Sequence, residues 1–460
     1  MDDLRLSNLN ENPGISPKIN ELAELAIKAD HIDPALYTES GVFRGLRNTN
    51  GEGLKVGLTG ISEIQGQREE NGQLIPTEGR LFYRGYDIFD IVKGIPLESH
   101  FGFEECTYLL LFGELPNIDQ LKEFSGILSD FRKLPSTFVR DIIMKNPSSD
   151  MMNTLAKSVL ALFSYDESAD DTSLENVLRQ CLQLISLSPL LSVYGYQAYR
   201  HFHLGKTLVI HNPKPEYSTS ENLLHMLRPD MEFSPLEAKL LDLMLILHME
   251  HGGGSNSSFT THLVTTSGTD TYACISAALA SLKGPAHGGA TPRVLHMLDD
   301  IALHVNDWKD DEEISAYLLK ILNGEANDGT GNIYGIGHAV YSLSDPRNVI
   351  IRKFVELLSN EKGLTKEFEL YRTVERLAPE VISKNRKMYK GVSANLEFYS
   401  GFVYSMLNIP EELFTPMFAV ARMAGWSAHR LEELCSSTKI IRPAYTNVTP
   451  RRSFIPMNER

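Results

Sequence analysis

The stretch "SPLEAKLLDLMLILHMEHGGG", residues 234–254, decides the fold class because it predicts a helix that is buried on every side. Ser234 is suited to the N-cap, Pro235 to the first helical position and Glu237 to the third, which together predict a capping box. The residues from 240 to 247 are apolar at all but one position. A helix that is hydrophobic all round belongs in a protein core. We therefore predict a mainly α-helical protein built around this helix.

The rest of the chain supports the same fold class. From about residue 89 onward the helical periodicity continues, broken at intervals by proline, glycine and Asn/Asp/Ser clusters. A further helix is predicted near the N-terminus, where Ser16 is placed to cap it. The exception is residues 54–88, where two β-like runs flank Asn71-Gly72, a dipeptide typical of hairpin turns. The predicted fold is mainly α, with two lobes and a short N-terminal β-hairpin.

The charge balance of the chain argues against two classes of partner. Its 460 residues include 44 Lys and Arg against 59 Asp and Glu, a formal net charge of −15. Nucleic acids and anionic membrane surfaces select basic proteins, so we expect binding to neither. The most apolar run, residues 240–249, is far shorter than the ~20 residues that a membrane-spanning helix needs. Small anionic ligands stay compatible with the composition, because they need only a local cluster of arginine and histidine.

The cysteines predict free buried thiols rather than a disulfide framework or a metal knuckle. They are widely separated, and no two stand in a CxxC pair. Free thiols are typical of a reducing compartment, and the acidic, polar N-terminal residues resemble neither a secretory signal nor a transit peptide. We therefore predict a cytoplasmic protein. The cysteines are Cys106, Cys181, Cys274 and Cys435.

The apolar helix runs into His248 and His251, which are three residues apart and so share one helix face. Three interpretations of this pair are open. The histidines could be core residues with satisfied hydrogen bonds, or they could bind substrate where a helix terminus meets a glycine-rich turn. They could also bind a metal, but "HMEH" is not the HExxH pattern and no third ligand stands at a recognised spacing. We predict no metal site.

Two further histidines stand next to glycines on separate segments. His287 lies where a new helix is predicted to begin, and an imidazole beside a helix N-terminus is favoured in its neutral, hydrogen-bond-donating form. His338 follows a glycine run, with Arg347 nine residues further on. The glycine run misses GxGxxG and no strand precedes it, which excludes a dinucleotide-binding motif. Glycines of this kind allow the backbone to approach a ligand closely.

An isolated acid, Glu397, stands in "VSANLEFYSG", residues 392–401, among apolar, hydroxylic and glycine residues. It is either an acid in the first turn of a helix, stabilised by the macrodipole, or a partly desolvated carboxylate that acts as a base. With three glycine-flanked histidines and several arginines, such a base suits carbon–carbon bond formation on a di- or tricarboxylate. The imidazoles would polarise carbonyl groups, and the arginines would clamp carboxylates.

Several motifs, in register along the chain, resemble those of citrate synthases and the related 2-methylcitrate synthases. The motifs are "GRLFYRGYDI" (79–88), "HMEHGGGSNSS" (248–258), "LKGPAHGGA" (282–290), "GIGHAVYSLSDPR" (335–347) and "NLEFYSG" (395–401). The resemblance covers residues from about 54 to 445 and implies a two-domain, mainly helical citrate synthase-like fold. The chain departs from the family's pattern at Glu397, where the family base is normally aspartate.

The resemblance also implies a role for each site residue. His338 would polarise the keto group of oxaloacetate, His287 would donate a hydrogen bond to the thioester oxygen, and Glu397 would remove the acyl-CoA proton. The residues implied in oxaloacetate binding are His251, His338, Arg347, Arg422 and Arg442, the last reaching in from the partner subunit of a homodimer. Those implied in CoA binding are Gly335, Gly337, Lys390 and Asn395.

The implied reaction condenses acetyl-CoA with oxaloacetate and water to give citrate and CoA, with no permanently bound cofactor. The alternatives are 2-methylcitrate synthesis from propionyl-CoA, and a non-catalytic relative that binds oxaloacetate or CoA. The implied domains are an N-terminal extension (1–53), a large domain in two parts (54–287 and 402–460) and a smaller lid domain (288–401).

Overall fold

The computed structural model describes residues 15–48, 53–70, 73–338, 340–386, 391–436 and 439–460. They group into two compact units. The terminal unit consists of the described parts of Met1–Val56 together with Arg442–Arg460, and the main unit runs from Gly57 to Ile441. The helices of the terminal unit are α1 (Pro17–Asp30) and α2 (Ala35–Glu39).

Helix α1 begins where the sequence predicts. The Ser16 hydroxyl accepts a hydrogen bond from the backbone N–H of Ile19 (3.3 Å), and Pro17 occupies the first helical position. None of the described residues of the terminal unit is buried. Apolar side chains on α1, such as Leu25 and Ile27, are largely exposed in the single chain.

The predicted hairpin forms the sheet of the main unit. Strands β1 (Ser62–Glu70) and β2 (Gln73–Tyr83) pair antiparallel. The predicted turn at Asn71-Gly72 lies outside the described residues. The sequence did not predict the short third strand, β3 (Tyr86–Asp87), which pairs with the end of β2. Gly85, with a φ of +87°, allows the tight reversal between β2 and β3.

Helices make up most of the main unit, so the predicted mainly α fold is confirmed. The first nine described are α3 (Ile88–Gly94), α4 (Phe103–Phe112), α5 (Ile118–Asp130), α6 (Met151–Leu162), α7 (Leu174–Phe202), α8 (Thr219–Leu227), α9 (Pro235–His248), α10 (Asn256–Thr265) and α11 (Thr271–Lys283). They are followed by α12 (Ala290–His304), α13 (Asp311–Leu322), α14 (Pro346–Lys362), α15 (Thr365–Asn385), α16 (Glu397–Met406) and α17 (Phe414–Ser436).

The predicted core helix is α9, and its capping box is confirmed. The Ser234 hydroxyl accepts from the N–H of Glu237 (3.2 Å), and the Glu237 carboxylate accepts from the N–H of Ser234 (2.8 Å). The leucines of α9 from Leu240 onward are buried, and the helix packs against α4, α8, α14 and α17. Asp242, the exception in the apolar run, accepts hydrogen bonds from the N–H groups of Gly102 (2.7 Å) and Phe103 (3.2 Å). It thereby satisfies backbone donors that the start of α4 leaves unpaired.

Helix α17 lies at the centre of the main unit and packs against α4, α7, α9 and α10. All of its residues from 416 to 430 are buried, including Arg422 and His429. Further along the chain, α12 and α14 pack on α16, and α15 packs on α13 and α14. The predicted lid domain, residues 288–401, covers α12 to α15 and the start of α16, and its boundaries stay a prediction.

The cysteines follow the prediction with one exception. Cys106, Cys181 and Cys274 are free and buried, whereas Cys435 is free and exposed. The prediction of a buried thiol was wrong at Cys435 because α17 leaves the core after Arg430. Among the described residues, no helix combines the length and apolar character needed to cross a membrane.

Candidate active site

His251 and His338 lie together although they are far apart in sequence. Their ring centres are 5.1 Å apart with the rings nearly perpendicular, and Tyr341 stacks on His338 at 4.6 Å. Burial lowers the pKa of His251 well below its usual range, and the charge of Arg347 lowers it further. The ring is therefore neutral near pH 7. Its buried Nε2 has no hydrogen-bond partner among the described residues, which leaves it available to a ligand.

The hydrogen bonds around His338 determine which ring nitrogen donates. Its Nδ1 accepts from the backbone N–H groups of Val340 and Tyr341, both at 3.0 Å. A nitrogen that accepts carries no hydrogen, so the neutral ring keeps its hydrogen on Nε2. His338 therefore presents an Nε2–H donor, which is the group needed to polarise a keto oxygen.

His287 lies in the loop before α12, and a serine orients it. Its Nε2 lies 3.0 Å from the Ser257 hydroxyl on α10. Burial, together with the positive charge of Arg422, lowers the pKa of His287 to about 4. When Ser257 donates to Nε2, the hydrogen of the neutral ring stands on Nδ1, where it can be donated to a substrate oxygen.

The low pKa of His287 predicts a specific sensitivity to acid. An unfolded histidine is protonated below about pH 6.5, whereas folded His287 takes up its proton only near pH 4. The free energy of unfolding therefore decreases as the pH is lowered between these two values. We expect His287→Gln to make this fall shallower by up to about 1.4 kcal/mol per pH unit. Urea denaturation at pH 7, 6 and 5 measures the slope. Ser257→Ala is the matched control because it keeps the imidazole, and equal slopes for wild type and His287→Gln would contradict the prediction.

Two buried arginines give the site its positive charge. Arg347 lies in the first turn of α14 and donates its Nε and Nη2 to the two oxygens of Asp345, at 3.0 and 2.7 Å. Arg422, on α17, is only 1% exposed and donates its Nε to the carbonyl of His248 (2.8 Å). Its two Nη groups donate no hydrogen bond to any described residue.

The electrostatics of Arg422 favour an anionic ligand. Burial lowers its pKa, the carboxylate of Glu250 opposes this change, and the charge of Arg347 adds repulsion. A buried cation that lacks a close carboxylate partner is destabilising until an anion pairs with it. Two guanidinium groups side by side suit a dicarboxylate, because each can bind a carboxylate through two parallel hydrogen bonds.

Glu397 is the first residue of α16, as the helix-terminus interpretation predicts. It also lies near both arginines, since its negative charge acts to raise the pKa of Arg347 and of Arg422. The side chain is half-buried, and no described residue donates a hydrogen bond to its carboxylate. The two interpretations from the sequence are therefore compatible, because a carboxylate at this helix end is also free to accept a proton.

The glycine run before His338 is paired with the segment that leads into α16. The carbonyl of Gly335 accepts from the N–H of Asn395 (2.9 Å), and the Asn395 side chain donates to the carbonyl of Gly337 (3.0 Å). Gly335 has a φ of +74°, and a Cβ there would lie 3.0 Å from the Cα of Phe398, so only glycine fits. These pairings hold the loop that carries His338 against the start of α16.

The structure does not test two of the predicted site residues. Lys390 lies outside the described residues. Arg442 belongs to the terminal unit, and its role across a subunit interface stays a prediction. The contacts of Gly335, Gly337 and Asn395 with CoA also stay predictions.

Sequence reasoning missed three residues that hold the predicted side chains in place. They are Ser257, Tyr341 and Asp345. Each stands within a motif already quoted, which was the available signal. Their partners could not be assigned from the sequence, because the hydroxyl of Ser257 meets a ring 30 residues further along the chain.

The sequence of the chain matches a known protein family over most of its length. A family model described as citrate synthase, C-terminal domain, matches residues 45–444. The chain belongs to the citrate synthase family. A citrate synthase from Synechocystis sp. is 32% identical over 417 residues, which are 90% of this chain and 95% of the relative. A 2-methylcitrate synthase from Shewanella oneidensis is 30% identical over 382 residues, which are 83% of this chain and 92% of the relative.

Solved citrate synthases share the fold. The structure of the enzyme from Thermoplasma acidophilum matches with a TM-score of 0.72 and 25% identity, covering 91% of this chain and 99% of that chain. That structure is a ternary complex of the enzyme with carboxymethyl coenzyme A and oxaloacetate. The predicted citrate synthase-like fold is confirmed over most of the chain, including the segment that carries Glu397.

Proposed function

We propose that this protein condenses acetyl-CoA with oxaloacetate and water to give citrate and CoA. The observation that carries the proposal is that the charge of Glu397 acts on two buried guanidinium groups, Arg347 and Arg422, and that both of these act on His251. The two arginines match the two carboxylates of oxaloacetate, and a histidine N–H matches its keto oxygen. Glu397, whose carboxylate accepts no hydrogen bond from a described residue, is the proposed base that removes the proton of the acyl-CoA.

In the proposed complex, the two carboxylates of oxaloacetate accept charge-assisted hydrogen bonds from Arg347 and from the Nη groups of Arg422. The dianion offsets the repulsion between the two guanidinium groups. His251 adds a neutral imidazole, and His338 directs its Nε2–H at the keto oxygen. The keto carbon becomes more electrophilic as a result.

Removal of a proton from the acyl-CoA is the demanding step. Glu397 takes a proton from the methyl carbon of acetyl-CoA, while His287 donates a hydrogen bond to the thioester oxygen, where negative charge develops. The enolate carbon then attacks the keto carbon of oxaloacetate, and the keto oxygen takes up one proton through His338 to become the hydroxyl of citryl-CoA. Glu397 releases the proton that it took from the methyl carbon, so one proton is lost and one is gained. Hydrolysis of that thioester by water releases citrate and CoA.

Propionyl-CoA is the rival acyl donor, and the similarity to a 2-methylcitrate synthase favours considering it. Release of free thiol from each acyl-CoA in the presence of oxaloacetate separates the candidates. We expect kcat/KM for acetyl-CoA to exceed that for propionyl-CoA by about tenfold or more, because one methylene in an apolar pocket changes discrimination by about 10–200-fold. The reverse order would indicate a 2-methylcitrate synthase. Absence of thiol release with both would overturn the enzyme proposal and leave a binding protein.

We also propose a homodimer in which Arg442 reaches the partner's site, and a lid formed by residues 288–401. Exposed apolar side chains in the terminal unit, such as Tyr445 and Phe454, support an interface. The mutual packing of α12 to α16 supports a lobe that closes over the substrates and excludes water. The three buried free thiols support a cytoplasmic location. The proposed CoA contacts are Gly335, Gly337, Lys390 and Asn395.

A further inference from the structure

A second cluster of titratable side chains lies apart from the proposed catalytic residues. His262 on α10 and His429 on α17 face each other and share a hydrogen bond between His262 Nε2 and His429 Nδ1 (3.0 Å), whose hydrogen a bound metal ion would replace. Glu432, one turn after His429, has its Oε2 3.8 Å from the same Nδ1. One ligand atom from each of these residues lies within 4.8 Å of the other two.

Both histidines are oriented by a carboxylate on their other ring nitrogen. His262 Nδ1 donates to Glu433 Oε2 (2.7 Å), and His429 Nε2 donates to Glu250 Oε1 (3.0 Å). Histidines that bind metals almost always donate their second N–H in this way, which sets the ring orientation and raises the basicity of the binding nitrogen. The two remaining nitrogens therefore converge on one point.

Glu432 supplies the third converging atom. Its Oε1 accepts from the N–H of Gly60 (2.7 Å), whereas its buried Oε2 has no hydrogen-bond partner among the described residues. A buried carboxylate oxygen without a donor is costly, and a bound cation removes the cost. Tetrahedral zinc places neighbouring ligand atoms about 3.3 Å apart, between the two distances around His429 Nδ1.

We propose that His262 Nε2, His429 Nδ1 and Glu432 Oε2 bind one divalent transition-metal ion, for which Zn²⁺ is the best match. Two imidazoles and one carboxylate form a ligand set that zinc uses with a fourth position left to water. Three carboxylates surround the two rings, those of Glu250, Glu432 and Glu433. Arg422 acts electrostatically on Glu250 and Arg84 on Glu432, and a divalent ion would add its charge between these carboxylates.

The ion joins elements that also carry catalytic and substrate-binding groups. Through its ligands it links α10, which holds Ser257, to α17, which holds Arg422, and His429 in turn donates to Glu250, the residue directly before His251. Gly253 lies beside the cluster. A Cβ at this position would be in van der Waals contact with His262 Nε2, at 3.5 Å, and the glycine leaves that space open. The site differs from the prediction of no metal, since its two histidines are 167 residues apart in the chain and form no spacing motif.

Zinc binding to the whole chain tests the proposal independently of the acyl-CoA reaction. The protein is treated with a chelator, desalted and titrated with Zn²⁺, and the bound metal is counted by mass spectrometry. Burial would lower the pKa of His429, but Glu250 and Glu432 raise it to about 9, so the ion has to displace a proton and binding is measured at pH 8. We expect one Zn²⁺ per chain, a higher Tm, and the visible absorption of four-coordinate Co²⁺ when cobalt replaces zinc.

Single substitutions separate this site from chance binding. We expect Glu432→Gln and His262→Gln to abolish saturable binding, and Glu433→Gln to raise the Kd for Zn²⁺ by about 10–100-fold because it only orients a ligand. His296→Gln removes an exposed histidine that pairs with Glu411, and as the matched control it should retain binding. No saturable binding to the wild type, or unchanged binding in Glu432→Gln, would overturn the proposal. If the His262→Gln variant does not fold, the Glu432→Gln variant alone decides between the two outcomes.

Discussion

Glu397→Gln is expected to lower kcat for condensation by about 10²–10⁴-fold while oxaloacetate still binds. Glutamine keeps the size of the side chain but cannot take up the proton of the acyl-CoA. Binding of oxaloacetate depends on the arginines. Loss of the negative charge that Glu397 places near Arg347 should leave the affinity of the protein for oxaloacetate equal or higher. Thiol release measures kcat, and calorimetric titration measures the Kd for oxaloacetate. Retained turnover would show that Glu397 is not the base.

Two control variants sharpen this result. Glu397→Asp tests whether the site is built for the longer side chain, because about 1 Å of misplacement can cost on the order of 10²-fold. We expect Glu397→Asp to be slower than the wild type and faster than Glu397→Gln. Glu367→Gln changes another acid in the first turn of a helix, α15, and should leave turnover unchanged. A loss in Glu367→Gln equal to that in Glu397→Gln would point to a helix-terminus effect instead.

His287→Ala is expected to lower kcat by about 10²–10³-fold, the usual cost of removing one hydrogen-bond donor from a developing oxyanion. The low pKa of His287 keeps the ring neutral, so it donates a hydrogen bond to the thioester oxygen without becoming an acid. Steady-state thiol release should show the loss in kcat, while the Kd for oxaloacetate changes little. Near-normal turnover would remove His287 from the mechanism.

Ser257→Ala is the matched variant for His287→Ala. It removes the hydroxyl that lies 3.0 Å from the ring but keeps the imidazole. Because Ser257 acts on the substrate only through His287, we expect a loss of kcat smaller than that of His287→Ala. The double variant should be no slower than His287→Ala alone, since both changes act on the same donor. A further loss in the double variant would indicate that Ser257 has its own contact with the substrate.

Local patterns in the sequence were sufficient for most of the secondary structure, with the short strand β3 as an exception. The capping box at Ser234 and the cap at Ser16 both form as predicted, because they depend on atoms within one helical turn. The predicted strands β1 and β2 also pair, because two β-like runs that are adjacent in the chain can pair locally. The exposure of Cys435 was not predicted because it depends on where α17 leaves the core. The residues next to Cys435 in the sequence do not indicate that position.

The site was accessible from the sequence only as a set of unusual residues. Glycine-flanked histidines and an isolated acid indicated chemistry, and the motifs indicated a family. The hydrogen bonds that place a hydrogen on His338 Nε2 and orient His287 are tertiary contacts. No spacing rule predicts them.

The sequence by itself determined most helices, the hairpin strands and the family, and it indicated the candidate catalytic side chains, because each of these depends on short-range patterns or motifs. The tertiary structure alone decided which groups meet. Arg347 and Arg422 come from separate helices, and only packing brings the paired Arg347 and the carboxylate-free Arg422 within electrostatic reach of each other. The same physical reason applies to His262 and His429, whose convergence depends on how α10 packs against α17.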